Sequence, residues 1–417
     1  MGTDGHVPEE AEREPRLRRA IGLWLLVLYG LGVTIGAGIY VLIGETVERA
    51  GTYAPFAFIL SAVVMGFTAG SFAELSGRIP RAAGEAVYVE AAFGRAWLTL
   101  AVGGAIVVEA VVAAAAIALG SAGYVAEIIP LPGVVLVVPI IVFMTLIAAW
   151  GVRESVLVAG VMTIVEVLGL LAIIVAGFVV EPEAIQPGGA RFALPTGPAA
   201  LSGVMSASLL AFFAYIGFDD IVNLVEEARD PTRTVPRAIA ITLAIVTLLY
   251  ALVAVVAVRS VPAEVLAASE APVSLLFERL TNLSPLGITL IAILATMNGV
   301  IIILIMAARV IYGLARKERL PAWLGAVSPR TKTPLNATLL VSAAVLVLAL
   351  IAPLDRLAEV SSQVILTVFC LANLSLLRMK TRREPLPKGC VRVPALVPAL
   401  GALSCLGLLI GASLGGG

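Results

Sequence analysis

Three acidic residues stand inside apolar runs long enough to cross a bilayer: Glu109, Glu166 and Asp219. A charge at mid-bilayer costs about 2.5–3.5 kcal/mol on insertion scales, so such residues face a bundle interior and mark routes for protons, ions or substrates. Glu166 is the candidate proton carrier, since a lone carboxyl among apolar neighbours can be used in both its protonated and ionised forms. The alternative is a glutamate hydrogen-bonded for structure alone. Glu109, in a stretch made mostly of Val and Ala, is a candidate contact for a substrate or a gate. Asp219 and its neighbour Asp220 read as a structural cap or pair.

Glycine supplies the second chemical signal. Gly30, Gly32, Gly36 and Gly38 cluster in the middle of one apolar block. Each costs about 1 kcal/mol relative to Ala in a helix, so the chain is invited to unwind there. Unwound backbone at that depth must have its N–H and C=O groups met by a ligand, an ion or water. Helix packing through Gly32 and Gly36, a small-residue pair one turn apart, is the competing explanation. A second block repeats the signal at Gly217, followed at once by Asp219 and Asp220. Breaks in corresponding spans of two halves point to the binding site of a secondary transporter. Amides freed around Gly36, Ala37 and Gly38 suit a carboxylate. Carbonyls freed around Ile35 and from Phe213 through Ala214 and Tyr215 to Ile216 suit an ammonium group. Phe213, Tyr215 and Phe218 are candidates to line an apolar side-chain pocket, and an amino acid supplies both charges.

The elements that must position these groups are membrane-spanning helices. Hydrophobic residues make up 60% of the chain and charged ones 13%, too little polar surface for a soluble domain of this length. The apolar residues fall in blocks of roughly 20, the number a helix needs to cross a hydrocarbon core of about 30 Å. These blocks predict an all-α polytopic protein with spans at 21–44, 54–77, 96–124, 133–150, 155–180, 200–226, 237–258, 285–312, 335–353, 358–377 and 392–413. The segment 259–284 reads as an extramembrane loop with short helices. Residues 1–20 form a charged tail without the apolar core of a signal peptide.

Lys and Arg concentrate in the tail and in every second loop, which predicts a cytoplasmic N-terminus and a C-terminus outside. An odd number of spans then lets 21–180 (spans 1–5) and 200–377 (spans 6–10) be repeats of opposite orientation, with 392–413 as an additional span. Four stretches carry a family resemblance: GVTIGAGIYVLIGE (32–45), AELSGRIPRAAGEAVYV (73–89), FFAYIGFDDIVNLVEEARDPTRTVPRAI (212–239) and ARVIYGLARKERLP (308–321). In order along nearly the whole chain, they resemble the amino acid–polyamine–organocation superfamily, near its cationic-amino-acid and bacterial amino-acid permease branches. The resemblance implies a five-plus-five inverted-repeat fold with discontinuous helices 1 and 6, and transport by alternating access. It also implies that Thr34 to Gly38 and Phe213 to Ile216 bind the substrate's α-carboxylate and α-amine. Proton-coupled relatives resemble this chain in span 5 but carry a lysine where Glu166 stands.

The expected function is secondary active transport of amino acids across the cell membrane, coupled to protons. An amino acid or polyamine exchanger and a transporter-like sensor remain open alternatives. The resemblance implies a second sodium site that draws hydroxyls from span 8, yet residues 298–327 contain no Ser or Thr, so sodium is disfavoured; no cofactor or metal is expected. The one histidine, His6, lies in the tail, and no nucleophile–base motif is visible, which argues against an enzyme. GxxxxGK[ST] is absent, which argues against an ATP-driven pump. The expected partners are an amino acid and the lipid bilayer, not nucleic acid. Oligomeric state and the choice among neutral, cationic and polyamine substrates are left open by the sequence.

Overall fold

The structure, a computed structural model, describes residues 19, 21–35, 38–81, 84–150, 156–180, 194–316, 319–331, 333–387 and 389–415. Apolar side chains leave the backbone no solvent to bond to, so each span satisfies its own amides and carbonyls as helix. In chain order the helices are α1 (Leu23–Ile35), α2 (Gly38–Ala50), α3 (Ala54–Arg78), α4 (Gly84–Phe93), α5 (Ala96–Ala126), α6 (Gly133–Trp150), α7 (Val156–Val180) and α8 (Pro198–Phe213). They continue as α9 (Pro231–Ser260), α10 (Ala263–Ala267), α11 (Pro272–Thr281), α12 (Leu286–Arg316), α13 (Leu335–Ile351), α14 (Leu354–Thr381) and α15 (Leu396–Gly415). Among the described residues, 8 helical stretches are long and apolar enough to cross a membrane, and three shorter apolar helices accompany them. Every span read from the sequence has a helical counterpart.

Two departures concern the site. The loop at 78–95 holds a ten-residue helix, α4, which buries Glu85, Tyr88, Val89 and Ala92 on one face. The sixth span is helical only to Phe213. Residues 214–217 turn, and Phe218–Leu224 form a tight 3-10 stretch in place of a second α-helix. Gly217 explains the change: its φ of +122° lies where side chains are disfavoured, and its amide is taken by the Asp219 carboxylate at 2.9 Å.

The buried apolar residues form two cores. One joins α1, most of α2, α3, α4, α8, α9, α11, α14 and α15. The other joins α5, α6, α12 and α13. Each draws on both halves of the chain, so packing does not follow the boundary between 180 and 200. The broken spans straddle the division. Ile39, Tyr40, Ala214 and Tyr215 belong to the first core, whereas Val41, Leu42, Leu210 and Phe213 belong to the second.

Candidate functional site

The two breaks interlock. α1 stops at Ile35 and α2 begins at Gly38; Gly36 and Ala37 lie outside the described residues. A side chain at Gly38 would overlap the backbone and Cβ of Ala214. In return, a Cβ at Gly217 would stand 3.0 Å from the Val33 carbonyl carbon and 3.1 Å from the Thr34 nitrogen. Each break thus has a glycine pressed on the other's backbone. Below them, Ile21 donates to Glu227 O at 3.0 Å and accepts from Arg229 N at 2.8 Å, pairing the approach to α1 with the exit from the 3-10 stretch. Packing through small residues is also present, at different glycines: Gly32 leaves room for Thr163 of α7, and Gly30 for Ile221 and Thr242.

One side chain joins both breaks. The Tyr250 hydroxyl of α9 lies 2.8 Å from Thr34 O and 3.0 Å from Ala214 O. It carries one proton against two carbonyls, so it serves them alternately or shares it. The Phe213 carbonyl is already met by Ile216 N at 3.1 Å. Of the carbonyls expected to be free from Phe213 to Ile216, two are therefore occupied. Among the described residues, those of Tyr215 and Ile216 accept no hydrogen bond. Tyr250 is not among the candidates above, although it is the one aromatic residue in an aliphatic span, 237–258.

The three aromatic candidates part company. Phe213 sits in the second core, towards α5 and α12. Tyr215 packs edge-on to Tyr250 at 5.2 Å, and Phe218 packs on Phe72 and Phe369, each at 5.8 Å. Phe218 is fully buried in that ring cluster. The structure places Phe213 on one side of the break and Tyr215 and Phe218 on the other, not around one pocket.

The matching profile settles what these interlocked breaks belong to: a family model described as "Amino acid permease" covers residues 21–415. The chain belongs to this family. It is a multi-pass membrane transporter of amino acids and not an enzyme. It is similar to the branched-chain amino acid permease BcaP of Bacillus subtilis, 29% identical over 95% of this chain and 89% of that one. An uncharacterized transporter of Mycobacterium tuberculosis is 33% identical over 94% of this chain and 85% of its own length. The vacuolar cationic amino acid transporter 2 of Arabidopsis thaliana is 31% identical over 89% of this chain, which spans 62% of that longer protein.

Around the breaks of this permease lie the carboxyl groups. Glu166 of α7 is 2% exposed, and its Oε2 has no hydrogen-bond partner among the described residues. Its backbone carbonyl accepts from the Tyr40 hydroxyl at 2.9 Å. Its carboxyl lies within electrostatic reach of both Tyr40 and Tyr250. Glu109 of α5 is buried and accepts from the Ser361 hydroxyl of α14 at 2.9 Å. Asp219 caps Gly217, and Asp220 accepts from Asn223 Nδ2 at 3.1 Å, so both have the structural bonds expected of them.

At the far end of α2, Arg49 pairs with Asp355 at 3.3 Å and with Glu359, both on α14, and donates to Ser206 of α8 at 3.3 Å. Arg356 joins Glu359 at 3.1 Å. This network ties the second half of the first broken span to α8 and α14.

Proposed function

We propose that the chain moves amino acids by alternating access and couples that movement to protons through Glu166. The supporting observation is the Tyr250 hydroxyl, which spans the two breaks beside a buried carboxyl that has an unused oxygen. An amino acid bound at the breaks would meet the carbonyls of Ile35, Tyr215 and Ile216 with its ammonium. Its carboxylate would meet the amides at the start of α2, where the helix dipole favours negative charge. An ammonium that reaches Thr34 O or Ala214 O must displace the Tyr250 hydroxyl. That exchange makes the packing of α1, α8 and α9 depend on whether substrate is present. Glu166, next to the same phenols, can bias the exchange through its charge: the ionised form pulls hydroxyl protons towards itself, and the neutral form does not.

Alternating access needs some contacts that break readily and others that hold. The Arg49 network suits the first role. Its Arg49, Asp355 and Glu359 side chains are 21%, 30% and 12% exposed, against 8% and 0% for Arg78 and Glu74, and water reaching an ion pair weakens it. Glu74 suits the second. It is fully buried and accepts from Arg78 at 2.7 Å, Lys380 Nζ at 2.5 Å and Val393 N at 2.8 Å, locking α3, α14 and the segment that leads into α15 together. Breaking a buried pair costs about 3–5 kcal/mol. Parting α2 from α14 is therefore the cheaper opening.

Following the basic loops, this reading puts the N-terminus in the cytoplasm and the Arg49 network on the outside. Purified protein in proteoliposomes should accumulate a radiolabelled amino acid when the substrate side is acid, and the Glu166→Gln variant should lose that pH-driven component. Accumulation by the variant equal to wild type would contradict the coupling role.

A further inference from the structure

A groove of about 700 Å³ runs between α3 and α9, lined from Ile59 to Ala73 on one helix and from Pro236 to Ala251 on the other. Gly66 leaves open space in its wall, and Ala240, Ala244 and Leu248 of α9 face it while exposed. No charged residue lines it, and its one polar side chain, Thr247, already donates to Leu243 O at 2.7 Å. Such a surface suits hydrocarbon and offers nothing to hold the two charges of an amino acid. From Pro236 to Ala251 the helix rises about 22 Å at about 1.5 Å per residue. That exceeds the share of one leaflet in the hydrocarbon core, about 15 Å.

One end of the groove is basic. Arg233 lies one turn before Pro236 on the face of α9 that lines the groove, and Arg237 follows Pro236; both are exposed. The segment that leads into α15 crosses the same end. A Cβ at Gly389 would stand 3.6 Å from Thr232 Oγ1, and one at Gly77 3.2 Å from Cys390 Cβ. A Cβ at Gly70, within the groove, would stand 4.0 Å from Val393 Cγ1. That course brings the exposed Arg392 to the mouth. Among the described residues, Arg237 and Arg392 form no ion pair. Arg233 meets Asp230 at 3.9 Å, with the two side chains 67% and 58% exposed, so water screens that pair. Trp24 is exposed at this end too, where Ile21 pairs with Glu227 and Arg229 just ahead of α9. Exposed Trp is typical of the headgroup level of a bilayer.

We propose that the groove between α3 and α9 binds an anionic phospholipid, with one acyl chain along the groove and the phosphate among Arg233, Arg237 and Arg392. Charge complementarity selects this occupant: an apolar trough with three arginines at one mouth matches a molecule that carries an acid on a hydrocarbon tail. The inner faces of the same two helices carry Phe58 and Tyr250, whose rings meet edge-on at 5.8 Å. A lipid in the groove therefore braces, from outside, the helix whose hydroxyl joins both breaks.

The test uses the purified full-length protein, stripped of lipid in detergent and titrated with phosphatidylglycerol, phosphatidylcholine or glycerol 3-phosphate. Native mass spectrometry reads binding, and the melting temperature reads stabilisation. Phosphatidylglycerol should bind about tenfold more tightly than phosphatidylcholine and raise the melting temperature; glycerol 3-phosphate should do neither. Replacing both Arg233→Gln and Arg237→Gln should bring phosphatidylglycerol to the level of phosphatidylcholine. Ala244→Trp, which fills the groove, should weaken both lipids, whereas Arg279→Gln, exposed on α11, should keep the preference. The arginine pair is on an exposed face and is read whether or not Ala244→Trp folds. Equal binding of the two lipids by wild type, or a preference that survives the arginine pair, overturns the proposal. So does a preference lost as fully in Arg279→Gln. Stabilisation by glycerol 3-phosphate equal to that by the lipid would mark a free-anion site, and a dimer that Ala244→Trp disperses would give the groove to a second copy; either result also overturns it.

Discussion

Gly38 and Gly217 are the residues with the least room for change. A methyl at Gly38 has to displace Ala214, and forced contacts of that kind cost about 1–3 kcal/mol. At Gly217 the same methyl adds backbone strain, on the order of 1–3 kcal/mol, to its contact with Val33. Gly38→Ala and Gly217→Ala should each lower the melting temperature in detergent and reduce uptake, whereas Gly103→Ala, with open space around it, should do neither. Tyr250→Phe keeps the ring and removes the hydroxyl shared by Thr34 O and Ala214 O. A net hydrogen bond is worth about 0.5–1.5 kcal/mol, so stability should fall modestly, while the ratio of uptake to exchange should change. Unaltered transport kinetics for this variant would remove Tyr250 from the mechanism. The glycines and carboxylates were legible in the sequence because their types are rare in apolar spans. Tyr250 and Glu85 were not singled out, since their meaning depends on what the fold brings next to them.

Among the helices, the long apolar ones are legible in hydropathy, whereas α4 is not, although its helical spacing is present. Glu85, Tyr88, Val89 and Ala92 recur at the spacing of one helix face. Its length and its Glu85 and Glu90 made it look like part of a loop. The 3-10 stretch was out of reach, because propensity does not report that Asp219 would cap Gly217. The attachment of α14 to α3 depends on polar contacts that hydropathy also hides. Asn373 of α14 accepts from Ser71 at 2.6 Å, donates to Thr68 at 2.9 Å, and lies against Gly401. Interhelical hydrogen bonds in membranes average about 0.6 kcal/mol, whereas a buried ion left without its partner costs about 3–5 kcal/mol. Glu74→Gln should therefore destabilise the protein several-fold more than Asn373→Ala in a melting experiment. Equal losses would mean that the Glu74 network does not hold α3 to α14.

For the whole molecule, two cores meet along the broken spans; glycine against backbone and one shared hydroxyl join the two breaks to each other, and a partly exposed ion network ties the far end of α2 to α14. Packed cores of this kind shift between discrete arrangements more readily than they deform. The division into cores crosses both halves of the chain, so the span order alone did not disclose it. We propose that substrate movement is coupled to a proton carried by Glu166. The most direct measurement is uptake of a radiolabelled amino acid by wild-type and Glu166→Gln proteoliposomes, with and without an imposed pH gradient. Wild type should concentrate the substrate only when the gradient is present, and the variant should exchange substrate without concentrating it. Equal accumulation by both proteins, or accumulation by wild type that ignores the gradient, would contradict the account.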